Sequence, residues 1–180
     1  MDTAVVVAFP ACEPVVGPLR RRYDASATWG VPAHVTVLYP FVAYADLTEG
    51  VVASLALAVG SVDEFDCALV RPAWFGDEVL YLEPDPAAPL RALTNAVWEA
   101  FPEHPPYDGA YDDVVPHLTV GDGSTGSSIG LQEAAGALVA YLPIRQRVDR
   151  VLLMAGGHER DSWRVLHELP LRHAPAEGSS

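Results

Sequence analysis

Two short apolar stretches, "HVTVLYPF" from His34 to Phe41 and "PHLTVG" from Pro116 to Gly121, each carry a histidine and, two residues on, a threonine. The elements after each histidine keep nearly the same spacing. From His34 the next helical stripe begins thirteen residues on, at Leu47; from His117 it begins fourteen on, at Leu131. Strand-like hairpins begin thirty-one and thirty residues on, near Phe65 and Arg147, and their second strands forty-four and forty-five on, near Glu78 and Ser162. Each unit reads as strand, helix and hairpin, preceded by its own strand and helix. Such a rhythm specifies an α+β protein of two related lobes.

The individual elements follow from pattern. Val5 to Phe9 is a β-branched strand, and Glu13 to Tyr23 is a helix with Val15, Val16, Leu19 and Tyr23 at helical spacing. Val35 to Tyr39 returns to strand. Asp46 or Thr48 caps a helix with the stripe Leu47, Val51, Leu55 and Val59, stopped by Gly60. Phe65 to Arg71 and Glu78 to Glu83 flank a turn at Gly76-Asp77. Pro89 opens a helix bearing Leu90, Leu93, Val97 and Phe101. Val114 to Val120 is a strand, Gly121 to Ser128 a polar loop, and Ser128 caps a helix with Leu131, Ala135, Leu138 and Val139. Arg147 to Met154 and Trp163 to Leu169 form a second hairpin across Gly156-Gly157. Residues 1–173 are expected to make one bilobal domain, and 174–180 a disordered tail.

Composition narrows the function. The 180 residues are half apolar, enough for a real core, with no run near the roughly 20 apolar residues of a membrane helix. The N-terminus has Asp2 where a signal peptide needs basic residues. Cys12 and Cys67 have no metal or redox spacing, so the cytoplasm is the expected compartment. Eleven arginines and no lysines stand against twenty-four acids, a net charge of −13. A grip on duplex nucleic acid through many phosphates is excluded, because it needs a basic face. Arg20, Arg21 and Arg22, with Arg145, Arg147 and Arg150, make local positive spots at best and read as solvated element ends. A small nucleotide or a chain end is the nucleic-acid partner the balance allows.

In a strand, residues two apart share a face. His34 and Thr36 therefore point one way while Val35 and Val37 anchor the core; His117 and Thr119 do the same against Leu118 and Val120. Related lobes would set the two pairs facing each other across a groove. Displacement at phosphorus uses that arrangement, since nucleophile and leaving group lie on opposite sides. One imidazole acts as base and the other as acid, both with ordinary pKa about 6.5. Threonine hydroxyls hold the non-bridging oxygens. No metal or other cofactor is needed, and no histidine spacing is ligand-like.

These stretches resemble the 2H phosphoesterase superfamily, in its 2′-5′ RNA ligase-like branch. "FGDEVLYLEPD" from Phe75 to Asp85 and the closing "VLLMAGG…WRVLHELPL" add to the likeness, which covers about residues 3–171. The resemblance implies two pseudo-symmetric lobes, each an antiparallel sheet with flanking helices, around a central groove. It implies His34 and His117 as the acid–base pair and Thr36 and Thr119 as phosphate ligands. It also implies a phosphodiesterase opening 2′,3′-cyclic phosphates, on a nucleotide or an RNA 3′-end, to 2′-phosphates. A 2′-5′ RNA ligase, a phosphodiesterase for another cyclic metabolite and a non-catalytic nucleotide-binding protein stay open as alternatives. Family members often place a basic residue shortly after the second motif; here Gly121-Asp122-Gly123 stands there.

The remaining histidines carry no partner pattern: His104 in a proline-rich loop, His158 in a hairpin turn, His167 on a strand and His173 beside the tail. Tyr39, Trp74, Phe75 and Tyr81 are candidates to stack on a base, and Arg71 to meet a phosphate. The chain is expected to act as a monomer, away from membranes.

Overall fold

The computed structural model describes residues 1–110, 114–123 and 128–173. The elements run β1 (Asp2–Ala8), α1 (Glu13–Tyr23), α2 (Ala25–Thr28), β2 (His34–Leu38), α3 (Glu49–Val59), β3 (Phe65–Phe75), β4 (Val79–Asp85), α4 (Ala88–Ala100), β5 (Leu118–Asp122), α5 (Ser128–Leu138), β6 (Ile144–Val148), β7 (Arg150–Gly156) and β8 (Arg164–Pro170). They form two four-stranded antiparallel sheets, ordered β2-β1-β7-β8 and β5-β4-β3-β6, with helices alongside.

The apolar run in β1 is continuous because both of its faces are covered. Val5 and Val7 enter the main core, whereas Ala4 and Val6 join Val31 and Met154 in a second, smaller cluster on the opposite face. That second cluster floors a cavity which His34 and Thr36 also line. The main core takes Val35 and Val37 from β2, Leu118 and Val120 from β5, Leu55 and Val59 from α3, and Leu90, Leu93 and Val97 from α4. Burying a side chain of this size contributes about 1.5–3 kcal/mol. α3 begins at Thr48, whose hydroxyl accepts from the Val51 N–H at 3.2 Å; Asp46 is not the cap.

The duplication is present, with a different unit. β2, β1, β7 and β8 occupy in one sheet the places that β5, β4, β3 and β6 occupy in the other. What repeats is strand–helix–strand–helix followed by a strand that crosses to the other sheet: β3 after the first unit and β7 after the second, the latter reached through β6, which stays with β4 and β5. The helices cross as well: α1 packs on β5 and α4 on β2. The second hairpin is present as β7 and β8, but the first of its expected strands, Arg147–Met154, is split at Asp149. β6 pairs with β3 in one sheet, while β7 pairs with β1 and β8 in the other. An apolar run records burial and not backbone partners, so the break is invisible in the pattern.

Two further boundaries differ for local reasons. The strand expected from Val114 begins at Leu118, after Pro116, which has no N–H to donate. Gly121 and Asp122 belong to β5 and not to a loop. A side chain at Gly121 would lie 2.5 Å from the Tyr23 Cβ and 2.6 Å from Leu131, so the glycine admits α1 and α5 against the strand. The remainder of that expected loop at 124–127 and the tail at 174–180 lie outside the described residues. Among the described residues, no helix is long and apolar enough to cross a membrane.

Candidate functional site

The approach to β2 is pinned by three backbone contacts. Ala33 N–H donates to the Glu13 carboxylate at 2.6 Å, Phe9 N–H donates to the Ala33 carbonyl at 2.8 Å, and Arg20 Nη1 donates to the Val31 carbonyl at 3.2 Å. Val35 and Val37, 1 % and 2 % exposed, seat the strand in the core. The alternation then turns His34 and Thr36 to the other face, where both line a cavity of about 350 Å³.

Thr119 lines the same cavity from β5, which lies against β2. His117, just before β5, is held against a stacked pair of aromatic rings. Its centroid lies 4.8 Å from Phe75 and 5.6 Å from Tyr81, both edge-on, and those two rings stack at 4.2 Å. His117 is not itself among the residues lining the cavity. It stands close enough to His34 for its charge to act on that imidazole.

The two histidines share one hydrogen-bond geometry. His34 Nδ1 lies 2.8 Å from the Pro32 carbonyl, and His117 Nδ1 lies 2.8 Å from the Val115 carbonyl. A carbonyl oxygen only accepts, so each Nδ1 carries the proton and each Nε2 is left to exchange one. Burial pushes His34 down from 6.5 to about 4, the Arg20 guanidinium pushes the same way, and the Pro32 carbonyl and Asp24 oppose them. Burial also lowers His117, opposed by its bond to the Val115 carbonyl. Both imidazoles are thus neutral at pH 7 in the free protein.

Arg20 does not lie on a solvated helix end; it is 2 % exposed. Its Nε and Nη2 donate to Asp24 Oδ2 at 3.0 and 2.8 Å, and Nη2 also donates to Ser26 Oγ at 3.0 Å. Asp24 Oδ1 in turn accepts from the Ser26 N–H and hydroxyl at 2.9 and 2.8 Å, capping α2. The i, i+4 spacing of Arg20 and Asp24 was the visible signal for this pair. Arg147 and Arg150 likewise meet Glu64, Asp66, Asp149 and Glu168.

Of the weaker candidates, Tyr39 lines the cavity and its hydroxyl donates to Asp2 at 3.3 Å. Trp74 packs against the main core and is not in the lining. Arg71 is 68 % exposed and bound to Glu83 on the neighbouring strand, also outside the lining. In their place stand Trp29, His158 and Trp163, with Trp29 and His158 at 4.5 Å between ring centroids. His158 sits in a turn with no motif around it, so only the return of the β7–β8 connection brings it to the site. The two thiols are buried and unpaired; burial pushes Cys12 up to about 12 and Cys67 up to about 11, which removes both as nucleophiles. Among the described residues, no group of three or more His, Cys, Asp or Glu side chains is arranged to hold a metal ion.

Against known families, residues 8–160 match the 2′-5′ RNA ligase superfamily. The chain belongs to this superfamily. No curated protein sequence matches it. Its fold is similar to that of Escherichia coli LigT complexed with NADP+, with a TM-score of 0.59 and 17 % identity over 95 % of this chain and 97 % of that one. LigT complexed with 3′-AMP gives a TM-score of 0.58 at 17 % identity over 95 % and 98 %. A Thermus thermophilus protein gives 0.57 at 16 % over 96 % and 99 %. At such identities the likeness establishes the fold; the superfamily establishes an enzyme class that acts on phosphodiester bonds.

Proposed function

We propose that this superfamily member is a metal-independent phosphodiesterase that opens 2′,3′-cyclic phosphates to 2′-phosphates, with His34 and His117 as its acid–base pair. The observation that carries the reading is the shared Nδ1-to-carbonyl bond, which leaves two proton-exchanging Nε2 atoms on neighbouring strands, each beside a threonine. One Nε2 takes a proton from water as its oxygen bonds to phosphorus. The P–O3′ bond breaks, and the other imidazolium gives its proton to O3′. Each proton lost is matched by one gained, and exchange with solvent resets the pair. Thr36 and Thr119 donate to the non-bridging oxygens, where charge develops. The two histidines are formally exchangeable in these roles. That LigT is found with 3′-AMP and NADP+ is consistent with a nucleotide-sized substrate here.

The test is hydrolysis of 2′,3′-cyclic nucleotides in excess EDTA by the wild type, His34→Ala and His117→Ala. Full activity with chelator and loss of at least about 100-fold in each variant is expected, the size of a general acid–base contribution. Loss on chelation would remove the metal-free mechanism. An active His34→Ala or His117→Ala enzyme would remove the two-histidine mechanism. Nucleotide binding without turnover would establish a binding protein instead.

A further inference from the structure

We infer that the cavity selects a single-nucleoside cyclic phosphate, one aromatic base with one phosphodiester charge, over the multiply charged end of an RNA chain. The inference rests on the proposal that His34 and His117 act on that phosphodiester.

Charge comes first. Among the described residues no arginine lines the cavity; its one carboxylate is Asp24. That carboxylate is spoken for on both oxygens, by Arg20 on one side and by Ser26 on the other. Arg20 is almost wholly buried, so it offsets Asp24 without offering a surface to a second phosphate. Elsewhere Arg71, Arg147, Arg150 and Arg172 each sit on a carboxylate, and the remaining arginines also lie outside the lining. Tracking an RNA chain needs a row of cations with free donors, one for each phosphate neutralised.

The recognition surface is aromatic. Trp29 and His158 form one wall, and Tyr39 and Trp163, with centroids 6.4 Å apart, form another. Trp163 is built in rigidly. Its Nε1 donates to the Gly157 carbonyl at 2.8 Å, and a Cβ on Gly156 would overlap its ring. Several polar edges of this surface are already used, Tyr39 on Asp2, Trp163 on Gly157 and Ser26 on Asp24, while the Trp29 indole N–H and the His158 ring nitrogens make no hydrogen bond among the described residues. Ring faces remain, and faces stack on any base without reading its hydrogen-bonding edge.

The experiment compares kcat/KM for the four 2′,3′-cyclic mononucleotides, for short oligonucleotides ending in a 2′,3′-cyclic phosphate, and for base-free glycerol 1,2-cyclic phosphate, at low and high salt. Added phosphates should bring no gain over the mononucleotides. Salt should change kcat/KM with a slope no steeper than about one phosphate's worth. Trp29→Ala should cost the mononucleotides about 5- to 100-fold more than it costs the base-free substrate, the worth of one base stack. A tenfold or larger preference for oligonucleotides with a steep salt slope overturns the inference. Equal loss on base-free and nucleotide substrates in Trp29→Ala overturns it too. If no substrate is turned over, the hydrolase proposal fails separately. Quenching of tryptophan fluorescence by adenosine 2′-phosphate, against a 2′-phosphorylated oligonucleotide, then decides the inference: tighter binding of the oligonucleotide overturns it.

Discussion

If one imidazole must be charged and the other neutral in the free enzyme, kcat/KM follows the singly protonated pair, whichever histidine holds the proton. His34 sits at about 4 and His117 below 6.5, both lowered chiefly by burial. The sign is the same for both: desolvation penalises the imidazolium, so the pair loses its working proton on the acid side of neutrality. The singly protonated form is therefore the acid-side species of the pair. At pH 8, with the upper pKa no higher than 6.5, it falls to about 3 % of the pair. kcat/KM at pH 5 should therefore exceed that at pH 8 by at least about 30-fold, with unit slopes on both limbs of a bell. Once a phosphodiester anion is bound, its charge favours both imidazolium forms, so the profile of kcat should lie to higher pH. The assay is initial-rate hydrolysis of a 2′,3′-cyclic nucleotide across this range, in buffers of constant ionic strength. A kcat/KM that is level from pH 5 to 8, or that rises to pH 8, would refute the reasoning.

Replacing Thr36 or Thr119 with valine keeps the shape of a cavity wall and removes one hydroxyl donor, so kcat should fall about 100-fold, with circular dichroism and melting temperature little changed. Arg20→Met strands the Asp24 carboxylate, only 11 % exposed, and should destabilise by about 3–5 kcal/mol in urea unfolding; adding Asp24→Asn should recover much of that loss. Gly121→Ala forces a methyl against Tyr23 and Leu131, so a loss of about 1–3 kcal/mol is expected from the same measurement, with little loss in a Gly136→Ala control, where nothing lies within 4 Å.

By itself, the sequence determined the local terms. Alternation in "HVTV" settles that Val35 and Val37 go inward and that His34 and Thr36 share the other face, because a strand has a period of two. Helical spacing placed α1 at Glu13–Tyr23 without error, and Thr48 was readable as a cap. The repeated rhythm announced two related halves. Other features depended on which distant backbone a segment meets. Only the tertiary structure decided that the chain breaks at Asp149 to feed two sheets and that Gly121 lies inside a strand under α1. It alone buried Arg20 against Asp24 beside His34 and brought Trp29, His158 and Trp163 into one cavity. Periodicity is a property of a segment, whereas hydrogen-bond partners and the burial of a long polar side chain are properties of what packs against it.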